Sequence, residues 1–166
     1  MPAEFVPPEF DPATLDLTQR VADIDRIREV NPHRFELELL TAVTHLDPAR
    51  QFIVGFKDLT ESEFWVRGHM PGFPLMPGVL MCEAAAQLCA FYGTTQGITQ
   101  GRMMGLGGIE HAKFKRMVRP GDRLVLVGFG VKVDRRLMKF HVRGYVGTEQ
   151  AFETIVSGVP LRTDKG

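Results

Sequence analysis

The sequence predicts an α+β fold in which one long buried helix packs among antiparallel strands. Two observations lead to this prediction. Residues 79–92 are apolar apart from Glu83 and Gln87, and a helix that is apolar almost all round is a buried one. Residues 123–133 and 136–146 instead carry apolar side chains at alternate positions, which is the period of a strand. One long helix among several strands is typical of the α+β class.

Length and composition indicate a single ordinary globular domain. The 166 residues are 44% apolar and 24% charged, and the formal net charge is zero, so nothing global points to nucleic acid or to an anionic membrane as a partner. No apolar run reaches the ~20 residues of a membrane span. The N-terminus carries acids and prolines where a signal peptide needs a basic start. We therefore expect a cytoplasmic protein with no membrane span.

The chain divides into an arm and a domain. Residues 1–19 are rich in proline and acids and are expected to be a mobile or loosely docked arm, so that residues 20–166 form the single domain. Within the domain, apolar residues at intervals of three predict a short helix over 21–30. Residues 36–46 and 51–57 are predicted strands.

The second half of the domain begins with the long helix, which we expect to end near Gly93 or Gly97. Its two cysteines, Cys82 and Cys89, are seven residues apart, or about 10 Å along a helix. That separation is too large for a disulfide, so both are expected to be reduced core residues. From Arg102 onward the chain is predicted to be strand after strand, and the last of these strands covers 151–160.

A histidine and a rigid segment precede the long helix. His69 is followed by Pro71, Pro74 and Pro77, and because each proline fixes φ, residues 70–77 should be extended with a turn at Pro71-Gly72. Inside the helix, Glu83 and Gln87 are four residues apart and share one face. A carboxylate is rarely left in such a helix without a partner or a task, so Glu83 is a candidate functional residue.

This stretch resembles the signature of the FabZ-type 3-hydroxyacyl-[acyl carrier protein] dehydratases of the hotdog superfamily, whose pattern is H-F-P-G-R-P-x-M-P-G-V-L-x-x-E-A-x-A-Q. The matching residues are His69, Pro71, Gly72, Pro74, Met76, Pro77, Gly78, Val79, Leu80, Glu83, Ala84, Ala86 and Gln87. A second block, residues 109–124, resembles the family's I-D-x-x-R/K-F-R-x-x-V-x-P-G-D-x-L, and Pro32-His33-Arg34 resembles its Pro-His-Arg. The resemblance covers roughly residues 20–160 and implies a hotdog fold, an antiparallel sheet wrapped around the one long helix.

The resemblance also implies a reaction, the conversion of a 3-hydroxyacyl thioester to the trans-2-enoyl thioester. His69 would be the general base and Glu83 the general acid, and the family's sister dehydratase-isomerases carry Asp at the latter position. The backbone N–H groups of Gly78 and Val79 would stabilise the thioester oxygen as it gains charge. Gln87 would support the acid or a site water. This scheme requires no metal and no organic cofactor.

Partners follow from the same resemblance. In the family the histidine of one subunit works with the acid of the other, which implies a homodimer or a trimer of such dimers. Ala84, Ala85 and Ala86 would permit close approach of two helices, or they simply face a crowded sheet. The substrate would be carried on acyl carrier protein or on coenzyme A. Four bases could dock an acidic carrier protein or could be an ordinary solvated strand edge; these are Lys113, Lys115, Arg116 and Arg119.

Three positions depart from the family pattern. Met70 and Phe73 replace its Phe and Arg, and together with Met76 they are candidates for the wall of the substrate channel. Ungapped counting puts Gly105 where many members carry an aromatic gate residue, within a glycine-rich run that looks flexible. These departures allow a non-catalytic acyl-binding paralogue as one alternative. A hotdog acyl thioesterase is the other alternative, although such enzymes carry an acid on the helix without the H-x-P-G-x-P segment.

Overall fold

The computed structural model describes residues 5–161. A six-stranded antiparallel sheet packs against one long helix, as the sequence predicts. The helices are α1 (Ile24–Val30) and α2 (Gly78–Thr95), with short 3-10 turns at Pro12–Thr14 and Phe35–Leu37. The strands are β1 (Ala42–Asp47), β2 (Phe52–Asp58), β3 (Met104–Phe114), β4 (Arg123–Val133), β5 (Met138–Val146) and β6 (Glu149–Pro160).

The order of strands in the sheet is β1-β2-β4-β5-β6-β3. The long segment between β2 and β3 contains α2, which lies across one face of the sheet. Helix and sheet approach closely at Gly55, where a Cβ atom would lie 2.8 Å from the side chain of Leu88 and 2.9 Å from the Ala42 carbonyl oxygen. The core between helix and sheet therefore depends on a residue without a side chain in β2.

Helix α2 is buried because nearly all of its side chains are apolar. Cys82, Ala84, Ala85 and Leu88 are almost completely buried, and both cysteines are free. Ala84 and Ala85 thus face the crowded sheet, whereas Ala86 lies on the partly open side of the helix. None of the helices within residues 5–161 is long and apolar enough to cross a membrane.

The predicted strand 36–46 is wrong in its first half. Residues 35–37 form a 3-10 turn and the strand begins only at Ala42, because the backbone near Leu37 and Leu39 bonds to a side chain instead of to a neighbouring strand. The Gln87 amide donates to the Leu37 carbonyl oxygen (2.9 Å), and its oxygen accepts from the Leu39 N–H (3.1 Å). The first helix is also shorter than predicted, since Asp23 caps it by accepting from the Arg26 N–H.

The glycine-rich run around Gly105 is part of a strand, in agreement with the prediction of strands from Arg102 onward. It lies in β3, where Gly105 pairs with Val159 of β6. A Cβ atom at Gly105 would lie 2.5 Å from Cδ2 of Leu161, so a larger residue at this position would displace that side chain.

The outer face of the sheet, opposite α2, is covered by the N-terminal arm. An apolar cluster on β1, β2, β4 and β5 packs against Phe5, Phe10, Leu15 and Leu17, and the Arg143 guanidinium donates to the Pro8 carbonyl oxygen (3.0 Å). This explains why both faces of β4 are buried, with Val125 and Val127 on the outer side and Leu124 and Leu126 in the main core. Residues 1–4 of the predicted arm lie outside the described residues, and the division at residue 20 stays a prediction.

Candidate active site

The segment before α2 fixes His69 beside the helix N-terminus. Met70 and Phe73 exchange two backbone hydrogen bonds across the predicted turn, in which Gly72 has a φ of 74° that suits glycine. The Leu75 N–H then donates to the His69 carbonyl oxygen (2.8 Å), and the Met76 N–H donates to that of Val118 (2.8 Å). These hydrogen bonds fix the conformation of residues 69–76 and connect this segment to the β3–β4 connection.

The His69 ring is oriented by a backbone carbonyl. Its Nδ1 lies 2.7 Å from the Leu75 carbonyl oxygen. Because a carbonyl can only accept, this contact places the ring proton on Nδ1 and leaves the Nε2 lone pair available as a base. The side chain is exposed in the single chain, so Nε2 is accessible to a substrate.

A cavity of about 530 Å³ opens beside this histidine. Its wall is mostly apolar, and it is lined by His69, Leu75, Met76, Gly78, Val79, Met81, Phe114, Lys115, Arg116, Met117 and Val118. Of the three predicted channel residues, only Met76 lines this cavity. Met70 and Phe73 are half-exposed outside it, and the Phe73 ring lies 4.6 Å from the Arg119 guanidinium carbon.

The amino end of α2 faces the same cavity. Gly78 and Val79 are its first two residues, and no side-chain hydrogen bond caps the helix among the residues that the structure describes. The first amides of a helix have no intrahelical acceptor and carry a partial positive charge. The cavity therefore combines a basic nitrogen with N–H groups suited to a developing oxyanion.

The carboxyl of Glu83 lies one turn further along α2 and outside this cavity. Its side chain is 28% exposed, so it is less buried than the sequence suggests. The reason is its position on the partly open stripe of α2 formed by Val79, Glu83, Ala86 and Ala90. Within a single chain, Glu83 thus does not line the cavity that His69 lines.

Two polar side chains contact this carboxyl. Gln87, which is buried, donates from Nε2 to Glu83 Oε1 (2.9 Å), the supporting contact that a spacing of four residues allows. His33 Nε2 lies 3.4 Å from the same oxygen, and the buried Asn31 donates to the Gln87 carbonyl oxygen (2.9 Å). Sequence reasoning missed Asn31 and His33 as site residues. The available signal was Pro32-His33-Arg34, which matches the family's Pro-His-Arg.

The four predicted docking bases fall into two groups. Lys115 pairs with Glu153 (3.1 Å), and Arg116 pairs with Glu149 (3.0 Å). Burial opposes ionisation of Glu153, but hydrogen bonds from Lys115 and Gln150 outweigh it and keep the Glu153 pKa below its usual value. The Lys113 and Arg119 side chains are exposed and form no salt bridge within residues 5–161.

Comparison with known proteins identifies the family to which the chain belongs. Residues 31–155 match the family model described as a FabA-like domain. The chain is 36% identical over 142 residues to the 3-hydroxyacyl-[acyl-carrier-protein] dehydratase FabZ of Bacillus cereus (strain AH820), covering 86% of this chain and 92% of that protein. It is 37% identical over 131 residues to the dehydratase FabZ of Desulforamulus reducens, covering 79% and 92%.

A solved structure supports the fold. The chain superposes on a chain of the dehydratase heterocomplex ApeI:P from Xenorhabdus doucetiae with a TM-score of 0.71, covering 82% of this chain and 91% of that one, at 11% identity. At that identity the likeness concerns the fold alone, and it confirms the predicted hotdog architecture. With the sequence identities above, it follows that this chain belongs to the FabA-like family and, within it, to the FabZ-type 3-hydroxyacyl-[acyl carrier protein] dehydratases.

Proposed function

We propose that this protein dehydrates 3-hydroxyacyl thioesters carried on acyl carrier protein to trans-2-enoyl thioesters, in fatty-acid or related lipid synthesis. His69 Nε2 takes the proton from C2, and the electron pair of that bond forms the C2–C3 double bond. The C3–O bond breaks, and Glu83 gives its proton to the departing hydroxyl, which leaves as water. A neutral imidazole suits the role of proton acceptor, and a carboxylic acid suits the role of proton donor.

The observation that carries the proposal is the geometry at the amino end of α2. His69, with its Nδ1 engaged by Leu75, opens to the same apolar cavity as the Gly78 and Val79 amides. A thioester oxygen bound to these amides would place C2 beside a nitrogen able to accept its proton. Negative charge develops on that oxygen in the transition state, where preoriented N–H groups stabilise it most.

The acid comes from a second copy of the chain in this proposal. Glu83 does not line the His69 cavity, so one chain does not hold a complete base–acid pair. Strand β3 is an eleven-residue edge of the sheet, and its Leu106 and Ile109 are nearly half exposed. Val79 on the open stripe of α2 is 72% exposed. A long edge beside exposed apolar side chains favours pairing with another chain, and a two-fold axis would give two equivalent sites.

The carrier is proposed to dock beside the cavity mouth. Lys115 and Arg116 line the mouth but are partnered by acids, so the exposed Lys113 and Arg119 are the better candidates for meeting an acidic carrier protein. Coenzyme A as the carrier, assembly into a trimer of dimers and residence in the cytoplasm stay predictions.

The experiment measures enoyl thioester formation from 3-hydroxyacyl substrates on both carriers. His69→Ala and Glu83→Gln should each lower kcat by about 100-fold or more, as for loss of a general acid or base, with unchanged circular dichroism. Subunits of the two inactive variants, unfolded and refolded together, should regain activity, because a mixed dimer contains one site with both native groups.

Four outcomes would contradict the proposal. Near-wild-type turnover in either variant would remove that residue from the mechanism. Absence of recovered activity in demonstrated mixed dimers would exclude a shared site. Release of free thiol without enoyl product would favour the hotdog thioesterase, and no turnover of any tested thioester by the wild type would favour a non-catalytic acyl-binding protein.

A further inference from the structure

The Glu83 carboxyl has unequal oxygens. Oε1 is contacted by Gln87 Nε2 at 2.9 Å and by His33 Nε2 at 3.4 Å. Among residues 5–161, no donor forms a hydrogen bond to Oε2. A single contact leaves a glutamate carboxyl free to rotate, because its terminal torsion is broad and roughly two-fold. A second contact from another element would restrict that rotation, and His33 is the residue placed to supply it.

The ring of His33 is set to present an N–H to this oxygen. Its Nδ1 is buried and has no hydrogen-bond partner in the described part of the chain. A buried N–H without an acceptor is rarer than an acceptor left unpaired, so the tautomer that fits this environment has a bare Nδ1 and a proton on Nε2. That proton is then on the ring nitrogen that lies within 3.4 Å of Glu83 Oε1. The 3.4 Å separation is longer than a formed hydrogen bond, as catalytic contacts often are before substrate binds.

The backbone around His33 is fastened to the helix that carries the acid. Asn31 donates from Nδ2 to the Gln87 carbonyl oxygen (2.9 Å). Arg34 closes the segment by donating to the carbonyl oxygens of Asn31 (2.8 Å) and Arg28 (2.8 Å). The imidazole is thus carried on a segment whose position is tied to α2, and it does not depend on a freely moving loop.

We propose that His33 is a positioning residue for the acid. It acts with Gln87 to hold Oε1 of Glu83, so that Oε2 is the oxygen that carries the proton to the leaving hydroxyl. This inference rests on the function proposed above, since it assigns His33 a role only if Glu83 is the general acid. It makes His33, which precedes Glu83 by fifty residues, part of the same reaction.

The test compares three substitutions at His33 in the full-length protein. In His33→Gln the side-chain amide nitrogen lies near the place of Nε2, so it can still donate to Glu83. In His33→Asn the amide nitrogen lies near the place of Nδ1 and cannot reach Oε1. His33→Ala removes both nitrogens. Glutamine and asparagine are therefore a matched pair that differ in reach and share the same functional group.

We expect kcat for 3-hydroxyacyl dehydration to fall about 10- to 100-fold in His33→Ala and His33→Asn, as for misplacement of a catalytic group. The KM should stay within about twofold of wild type, because the contact is to the acid and not to the substrate. His33→Gln should recover most of the lost kcat. Melting temperatures of the asparagine and glutamine variants should agree, which separates positioning from a structural role.

Each other result overturns the inference. Equal kcat in the glutamine and asparagine variants would mean that donation to Glu83 is irrelevant, and a rise in KM would place His33 in substrate binding. Suppose that the wild type is active, that Glu83→Gln is inactive, and that His33→Ala has the wild-type kcat. The role of His33 is then excluded while the proposed function stands. If the wild type itself does not dehydrate 3-hydroxyacyl thioesters, the proposed function fails and the inference fails with it.

Discussion

Gly78 meets Phe114 at the point where α2 begins. A Cβ atom at Gly78 would lie 2.8 Å from Cε1 and Cζ of the Phe114 ring. That ring is stacked on the buried Phe152, with centroids 6.2 Å apart, so it cannot retreat into the core. Both Gly78 and Phe114 line the His69 cavity. The glycine therefore allows an aromatic ring and the amide of a helix N-terminus to occupy adjacent parts of one wall.

Gly78→Ala should impair catalysis more than stability. The added methyl group pushes the Phe114 ring toward the cavity, and we expect about a tenfold loss of kcat/KM, equivalent to ~1.4 kcal/mol of transition-state stabilisation. The loss of unfolding free energy should stay below about 1 kcal/mol, at the low end for overpacking, because Phe114 is half-exposed. Steady-state kinetics and urea unfolding provide both values.

Gly68→Ala is the matched control, since nothing lies within 4 Å of a Cβ atom at that position. It should leave both quantities unchanged. Wild-type kcat/KM in Gly78→Ala would show that the ring and the substrate do not compete for space.

At the scale of elements, β3 and the connection to β4 bring three features together. The strand is an open edge of the sheet, its end contributes Phe114 to the cavity, and the residues beyond it include Arg119. The basic residues here differ in availability, because Lys115 and Arg116 are engaged with Glu153 and Glu149. Charge reversal of an engaged lysine would disturb β6 as well as any partner, so it is a poor probe of docking.

Combined Lys113→Glu and Arg119→Glu should raise the KM for carrier-borne substrate. We expect about a tenfold increase at low salt, because reversing exposed charges slows association with an acidic partner. Small thioester mimics, which need no docking surface, should keep the wild-type KM. Wild-type KM for carrier-borne substrate should itself rise with added salt, since exposed charges are screened over ~10 Å at 0.1 M.

Arg136→Glu supplies the control for this pair. Arg136 is exposed in the β4–β5 connection. This connection follows the carboxyl end of β4, and the eleven residues of β4 span roughly 35 Å from Arg123 at the opposite end. Its reversal should leave the KM unchanged. Equal losses on both substrate types in the double variant would instead indicate damage to the Phe73–Arg119 contact or to the site.

At the scale of the whole molecule, the sheet has apolar residues on both faces, and a different segment of the chain packs against each face. Helix α2 covers the inner face, and arm residues 5–17 cover the outer one. Phe10 contacts the rings of Phe52, Phe129 and Tyr145, with centroids 5.8, 5.8 and 6.4 Å away. Without the arm this cluster would be an exposed apolar patch of the kind that promotes association.

Phe10→Ala should destabilise the protein by about 2 kcal/mol, the value for removing a partly buried aromatic side chain from apolar surroundings. The measurement is the free energy of unfolding from urea titration, and dehydratase activity should stay at the wild-type level because the arm lies opposite α2. Val6→Ala is the control on the same arm, since Val6 is 81% exposed. Equal stability of the two variants would mean that the arm contributes no packing energy.

Local patterns along the chain were sufficient to predict several elements of the fold. The apolar run starting after Pro77 predicted the start of α2 to within one residue, and the alternation over 123–133 predicted β4 with the observed bounds. These two predictions are confirmed because the helix and strand periods can be read from residues close together in the chain. The roles of His69 as base and Glu83 as acid came from the resemblance to the family and stay predictions.

The tertiary structure decided what depends on residues far apart in sequence. The strand does not extend back over Leu37 and Leu39 because Gln87, about fifty positions away, bonds to the Leu37 carbonyl oxygen and the Leu39 N–H. The contact between His33 and Glu83 and the cover of the outer face by Phe10 likewise join segments whose separation carries no local signal. Side-chain hydrogen bonds and packing of this kind form only once the sheet has brought the segments together, and for that physical reason no periodicity in the chain predicts them.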